Sequence, residues 1–280
     1  MFAKKSVLRT IGIAAALSAL AAVPAHAASP NRCTYDTASK IATFEMIPGG
    51  GNLMQIGWSG QTLTFFDTVG SGFCKSPVTG ELARRDNTRS ILFEGNVGIA
   101  EDFIVSELGG DYRGGLPGGS DSNQIEVNVF SSSEDTVHIT GNDLRNIIQV
   151  TGGPGTGKQG GVLLDPNTSS GLSTVKFVGT PSIVRVLGLG GNDIITGSQF
   201  FSSPTSMHLS LSGGAGPDLI EGGLISGDRL QGDDGDDNLH SKDGQPGDIV
   251  TGGLGVDTAR IDPTDQASGV EKFDLSASAR

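Results

Sequence analysis

Six aspartates in the C-terminal third of the chain recur at intervals that suit a row of metal sites. From Asp218 to Asp228, Asp237, Asp248 and Asp257 the steps are 10, 9, 11 and 9 residues, and Asp193 stands upstream of the series. Each has a residue of apolar type two positions on: Ile195, Ile220, Leu230, Leu239, Val250 and Ala259. Each also closes a turn rich in glycine. Gly213-Gly214-Ala215-Gly216-Pro217-Asp218 and Gly252-Gly253-Leu254-Gly255-Val256-Asp257 repeat one pattern, and Gly188 to Asp193 and Gly232 to Asp237 each lack one of its glycines. Looser copies run from Gly223 to Asp228 and from Asp243 to Asp248. A short turn that keeps its carbonyls inward needs left-handed backbone, which glycine adopts cheaply. A three-residue strand then follows, and its central side chain is the one that can face a core.

Two such units make one circuit, so alternate turns share a face and stack at the strand spacing of about 4.8 Å. If a degraded turn around Ser202 to Ser206 fills the one gap, Asp193, Asp218, Asp237 and Asp257 share one face, with Asp228 and Asp248 on the other. Carboxylates so placed repel one another. A hard dication relieves that repulsion, and Ca²⁺ accepts about six to eight oxygens from carboxylates and main-chain carbonyls. Carbonyls near Gly188, Gly190, Gly213, Ala215, Gly232, Asp234, Gly252 and Leu254 are the expected main-chain ligands. Mg²⁺ demands a tighter octahedron, and no His/Cys set suits zinc. Several calcium ions are therefore the expected cofactor and partner. The flanking Asp233, Asp234, Asp236 and Asp243 read as solvated charges.

These repeats resemble the RTX family of calcium-binding nonapeptide repeats over about residues 186 to 260. The resemblance implies a parallel β-roll that orders on binding calcium. Family members often carry protease or lipase chemistry, but neither H-E-x-x-H nor G-x-S-x-G occurs here. They also commonly leave the cell by an uncleaved C-terminal signal, whereas this chain opens with Lys4, Lys5 and Arg9, an apolar run from Ile11 to Val23, and Ala25-His26-Ala27. That is the pattern of a cleavable leader, with cleavage expected after Ala27 and a secreted or periplasmic product.

The elements that would position these turns are all β. Short bursts such as Ile125-Glu126-Val127-Asn128-Val129 and Ile183-Val184-Arg185-Val186 alternate and are rich in β-branched residues. No helical period follows residue 27, so the fold class is all-β, a β-solenoid ending in a parallel β-roll. The expected organisation is a leader at 1–27, a β-rich region at 28–185, the roll at 186–262 and a terminal cap at 263–280. Gly141 to Ile148 echoes the repeat with Asn146 in the ligand place, and reads as a circuit without metal. In an oxidising compartment Cys33 and Cys74 should pair. Glycine, at 44 of 280 residues, is more than twice its usual share of about 7%, which argues against long helices. A formal charge of -12 disfavours nucleic acid as a partner. After residue 27 no stretch is apolar enough to span a membrane.

Gly152 to Gln159 approaches a phosphate-binding loop but has Gln159 where Ser or Thr must follow the lysine. His138, His208 and His240 read as structural or surface residues. The expected function is an exported protein whose repeats fold on binding Ca²⁺, in a structural or interaction role, with a cell-surface or polysaccharide partner open. The competing reading is a secreted lyase or epimerase acting on polysaccharide. Arg84-Arg85-Asp86 and Glu101-Asp102 are the only dense sets of charge for such chemistry and read as solvated turns, so no catalytic residue is assigned.

Overall fold

The computed structural model describes residues 31–47, 52–68, 70–96, 99–106, 125–153, 158–164, 173–199 and 207–275. The leader, the turn at 202–206 and the middle of the glycine-rich stretch from Gly152 to Gln159 lie outside these. The described residues contain no helix. The first half of the chain supplies β1 (Arg32–Asp36), β2 (Ile41–Glu45), β3 (Leu53–Ser59), β4 (Thr62–Asp67), β5 (Ser71–Phe73), β6 (Ser90–Glu94), β7 (Asp102–Ser106), β8 (Glu126–Ser131) and β9 (Thr136–Thr140). There follow β10 (Ile147–Gly153), β11 (Lys158–Leu164), β12 (Ser173–Gly179), β13 (Ile183–Gly190), β14 (Ile194–Gln199), β15 (His208–Ala215), β16 (Leu219–Glu221) and β17 (Arg229–Asp234). The last are β18 (Asn238–His240), β19 (Ile249–Leu254), β20 (Thr258–Arg260), β21 (Gln266–Ser268) and β22 (Lys272–Phe273).

They form two mixed sheets. The first has twelve strands in the order β1-β2-β6-β8-β12-β11-β10-β14-β16-β18-β20-β22, and the second has ten in the order β21-β19-β17-β15-β13-β9-β7-β3-β4-β5. From β13 onward the chain alternates between the sheets, and each strand lies parallel to the one two elements later. Among the described strands antiparallel pairing joins β1 with β2, the β3-β4-β5 meander and the β10-β11-β12 excursion. The excursion brings β12 alongside β8, and β10 continues the first sheet beside β14.

The period-2 pattern of β13, with Val184 and Val186 buried between half-exposed neighbours, shows how each sheet turns one face inward. In the C-terminal half the interior is thin. Ile195, Ile220, Leu239 and Ala259 line the first sheet, facing Val186, Leu211, Leu230 and Val250 of the second, and all are essentially fully buried. The N-terminal half is filled by larger groups, with Phe44 stacked on Phe93 at 5.3 Å and Phe93 edge-on to Phe103 at 5.4 Å. Burying these rings removes more apolar surface per residue than the smaller side chains of the other half do.

Cys33 on β1 is bonded to Cys74, with a Cα separation of 4.8 Å. The bridge ties the meander edge to the first sheet across 41 positions of sequence. Replacing both cysteines by serine is expected to lower unfolding stability by about 3 kcal/mol. The denaturant midpoint of the oxidised protein against the double variant measures this.

Candidate metal centre

The residue that enters each strand sets the chemistry of the site. On the first sheet these positions are Asn146 before β10, Asp193 before β14, Asp218 before β16, Asp237 before β18, Asp257 before β20 and Glu271 before β22. They stack as a column. The Asn146 N–H donates to Asp193 Oδ1 at 2.6 Å, Asp193 N–H to Asp218 Oδ1 at 2.7 Å, and Asp218 N–H to Asp237 Oδ1 at 2.8 Å. Asp237 N–H then donates to Asp257 Oδ1 at 2.9 Å, and Asp257 N–H to Glu271 Oε2 at 2.8 Å. Each acid thus spends one oxygen on the turn before it. The other oxygen of Asp218, Asp237 and Asp257 is buried with no hydrogen-bond partner. A buried acceptor left unpaired costs about 1–3 kcal/mol, and more when charged.

Glycine makes this approach possible. A β carbon placed on Gly232 would lie 2.2 Å from Asp237 Oδ2 and 2.7 Å from the Gly252 carbonyl, and one on Gly188 would lie 2.2 Å from Asp193 Oδ2 and 2.4 Å from the Gly213 carbonyl. Carboxylate and carbonyl oxygens therefore crowd a spot that only glycine leaves open. At the next position Gly214 and Gly253 have φ of 110° and 130°, but Leu189 and Asp233 hold the equivalent places at 81° and 76°. Gly214 has no such latitude, because a β carbon there would sit 2.1 Å from the Leu189 carbonyl oxygen. Gly214→Ala is expected to lower stability by about 3 kcal/mol or more, from left-handed strain and a backbone clash together. Chemical denaturation of the variant, with and without chelator, checks this.

Asp228, Asp248 and Asp265 enter β17, β19 and β21 of the second sheet and make a different column. Asp228 receives Leu209 N–H on Oδ1 and Gly223 N–H on Oδ2, at 3.0 and 2.7 Å. Asp248 Oδ1 receives both Gly227 and Asp228 N–H at 2.9 Å, and Asp265 receives Asp248 N–H on Oδ1 and Asp262 N–H on Oδ2. None of these three has a buried oxygen without a hydrogen-bond partner. Further up the same sheet Asp135, before β9, accepts Glu101 N–H and Ser132 N–H. The two columns thus differ: the first leaves buried oxygens without a hydrogen-bond partner, whereas in the second Asp228 and Asp265 use both oxygens and Asp248 takes two main-chain donors on Oδ1.

Burial governs the titration of both. It pushes Asp218 and Asp237 up to about 6, with neighbouring carboxylates of the column adding to the rise and the N–H bonds opposing it. Asp228 is likewise raised to about 6 and Asp248 to about 7, again by burial first.

The donors of the first column are all oxygen, which suits a hard cation. Among the described residues no group of three or more His, Cys, Asp and Glu side chains is disposed to hold a metal ion. A cation there would therefore have to draw most of its ligands from the main chain. The carbonyls of Ala215, Asp234 and Leu254 already accept N–H from Gly191, Gly216 and Gly235, which leaves each one lone pair. Of the flanking acids, Asp233 bonds the Ser212 hydroxyl and the Gln231 amide, and Asp236 accepts Val256 N–H.

The sequence reading did not single out Asp135, Asp265 or Glu271. Asp135 stands two residues before the buried Val137, as Glu101 does before Phe103, and that acid-x-apolar step was the available signal. Comparison with protein-family models, with curated proteins and with solved structures finds no match to this chain.

Proposed function

We propose that residues 186–262 form a parallel β-roll of the RTX type, ending a β-solenoid that begins within 28–185, and that the protein binds several calcium ions as it folds. The observation that carries this reading is the run of Asp218, Asp237 and Asp257, each with one oxygen on a neighbouring turn and the other buried and unpaired. Asp193, Asp218, Asp237 and Asp257 would hold the ions, together with carbonyls of the adjoining glycine turns. Bound calcium would supply the positive charge that a column of buried carboxylates lacks. Asp228, offered from sequence as a further ligand, fits a metal-independent role better, because main-chain donors engage both of its oxygens, and Asp248, offered likewise, has no buried oxygen left without a partner.

Asn146 supports the same division. It holds the column position but carries an amide, whose Oδ1 accepts Asn142 N–H at 3.0 Å, and the column of acids begins one rung below it. At the other end Glu271 closes the column from the terminal strand. In a calcium-poor cytoplasm the aspartates would repel, and in a millimolar extracellular setting they would be neutralised, so sites with dissociation constants of about 10⁻⁴ to 10⁻³ M suffice. An exported protein with a structural or interaction role fits these features better than an enzyme.

The test is far-UV circular dichroism and thermal melting of the protein after residue 27, in EDTA and across a calcium titration. Calcium is expected to raise the melting temperature by about 10 °C or more once several sites are filled at many times their dissociation constants. Identical spectra and melting in EDTA and in excess calcium would remove the proposal.

A further inference from the structure

The outward face of the second sheet carries a groove of about 470 Å³ that the metal reading does not use. It crosses β13, β15, β17 and β19. Arg185, Ser210 and Arg229 lie in register on three successive strands, so the two arginines stand on alternate strands with a serine between them. At the strand spacing this sets their backbones roughly 9 to 10 Å apart. One step along the strands, Ser212, Gln231 and Thr251 form a second row of hydroxyl and amide groups.

Two features make this face unusual for so acidic a chain. Among the described residues neither arginine has an ion-pair partner within 4 Å. One carboxylate, Asp233, lies in the groove and bonds the Ser212 hydroxyl and the Gln231 amide there, while Asp102, which Arg185 also influences electrostatically, bonds His138 Nε2 at 3.2 Å. The groove therefore presents two cationic forks, hydroxyls and a single carboxylate, Asp233, on a molecule whose formal charge is -12. Guanidinium groups bind carboxylates in bidentate fashion, and an ammonium would not reproduce that geometry. No aromatic ring lines the groove, so stacking on a neutral sugar is not its mode of recognition.

We infer that this groove binds a carboxylate-bearing polysaccharide lying across the strands, with uronic-acid groups on Arg185 and Arg229 and sugar hydroxyls on Ser210, Thr251 and the Asp233 carboxylate that Ser212 and Gln231 hold in place. A sugar ring in an extended chain is about as long as the strand spacing. Arginines on alternate strands therefore match a polymer that carries its carboxylate on every second sugar. The inference goes beyond the calcium reading and uses none of the column aspartates.

Hyaluronan oligosaccharides, which alternate a uronic acid with a neutral sugar, are the probe, titrated against the full mature chain at fixed calcium and again in EDTA. Saturable binding is expected, at least tenfold weaker in Arg185→Ala/Arg229→Ala and unchanged in Arg89→Ala, which removes an exposed charge elsewhere. Arg185→Lys/Arg229→Lys keeps the charge and should still bind several-fold more weakly, which keeps the test sharp if the alanine pair fails to fold. Neutral chitin oligosaccharides should not bind. The inference is overturned if hyaluronan is not bound by the folded protein, if the lysine pair binds as well as wild type, or if chitin oligosaccharide or polyglutamate binds equally well. Folding that ignores calcium, with hyaluronan binding intact, would count against the metal reading alone.

Discussion

Asn substitutions in the two columns are expected to act in opposite directions. Asp237→Asn keeps the oxygen that accepts Asp218 N–H and replaces the orphaned oxygen by an amide beside the Gly252 carbonyl. The buried charge disappears, so the metal-free protein should melt a few degrees higher than wild type. Its response to calcium should shrink, because Asp237 borders two of the three gaps between Asp193, Asp218, Asp237 and Asp257. If the gaps contribute equally, the calcium-induced rise falls to about a third of the wild-type value. Asp228→Asn should do the reverse. Both of its oxygens accept main-chain N–H, from Leu209 and Gly223, and asparagine can serve only one of them. The orphaned N–H should lower stability by about 1–3 kcal/mol with or without calcium. Melting curves of both variants in EDTA and in calcium decide between these outcomes. A uniform loss of stability in both would show that the columns are equivalent.

The second large effect is on pH. Asp218, Asp237 and Asp228 are raised to about 6 and Asp248 to about 7, from an ordinary value of 3.8. Between these limits the folded state holds more protons than the unfolded chain, so unfolding stability falls as pH rises. The contribution of these groups is complete below about pH 4 and is lost by about pH 7. Metal-free protein should therefore melt about 5 °C or more higher at pH 5 than at pH 7.5, the reverse of the usual behaviour of salt-bridged carboxylates. Calcium should narrow the gap by stabilising the ionised form at the higher pH. Scanning calorimetry at the two pH values, with EDTA and then with calcium, checks the sign. A metal-free protein more stable at pH 7.5 would contradict the proposed origin of the strain.

Much of this arrangement was legible in the sequence, for a physical reason. Glycine and aspartate mark turns whose left-handed backbone most residues adopt only at a cost, and the inward residue two places on, such as Ile220 or Leu239, marks the strand. The period of those pairs put Asp218 and Asp237 on adjacent turns, where a 2.8 Å hydrogen bond now links them. Three things were not legible. The β10-β11-β12 excursion depends on antiparallel pairing with a register shift between Thr151 and Gly153, which local pattern does not give. Asp135 and Asp265 lack the glycines that flag the other turns, since their oxygens are met by N–H groups rather than by a crowded glycine face. The contrast between the columns was only partly visible: the turn before Asp228 is a looser copy than that before Asp237, but which donors the fold brings to each carboxylate is not written in either turn.

The central claim is that ions lie between successive aspartates of one column and not of the other. Equilibrium dialysis of the protein after residue 27 against radiolabelled calcium at millimolar concentration, with Asp237→Asn and Asp228→Asn measured in parallel, tests it most directly. The account predicts about three ions per wild-type chain, one for each gap between Asp193, Asp218, Asp237 and Asp257. It further predicts that Asp237→Asn loses two of them and that folded Asp228→Asn loses none. No bound calcium in the wild type, or an undiminished count in Asp237→Asn, would contradict it.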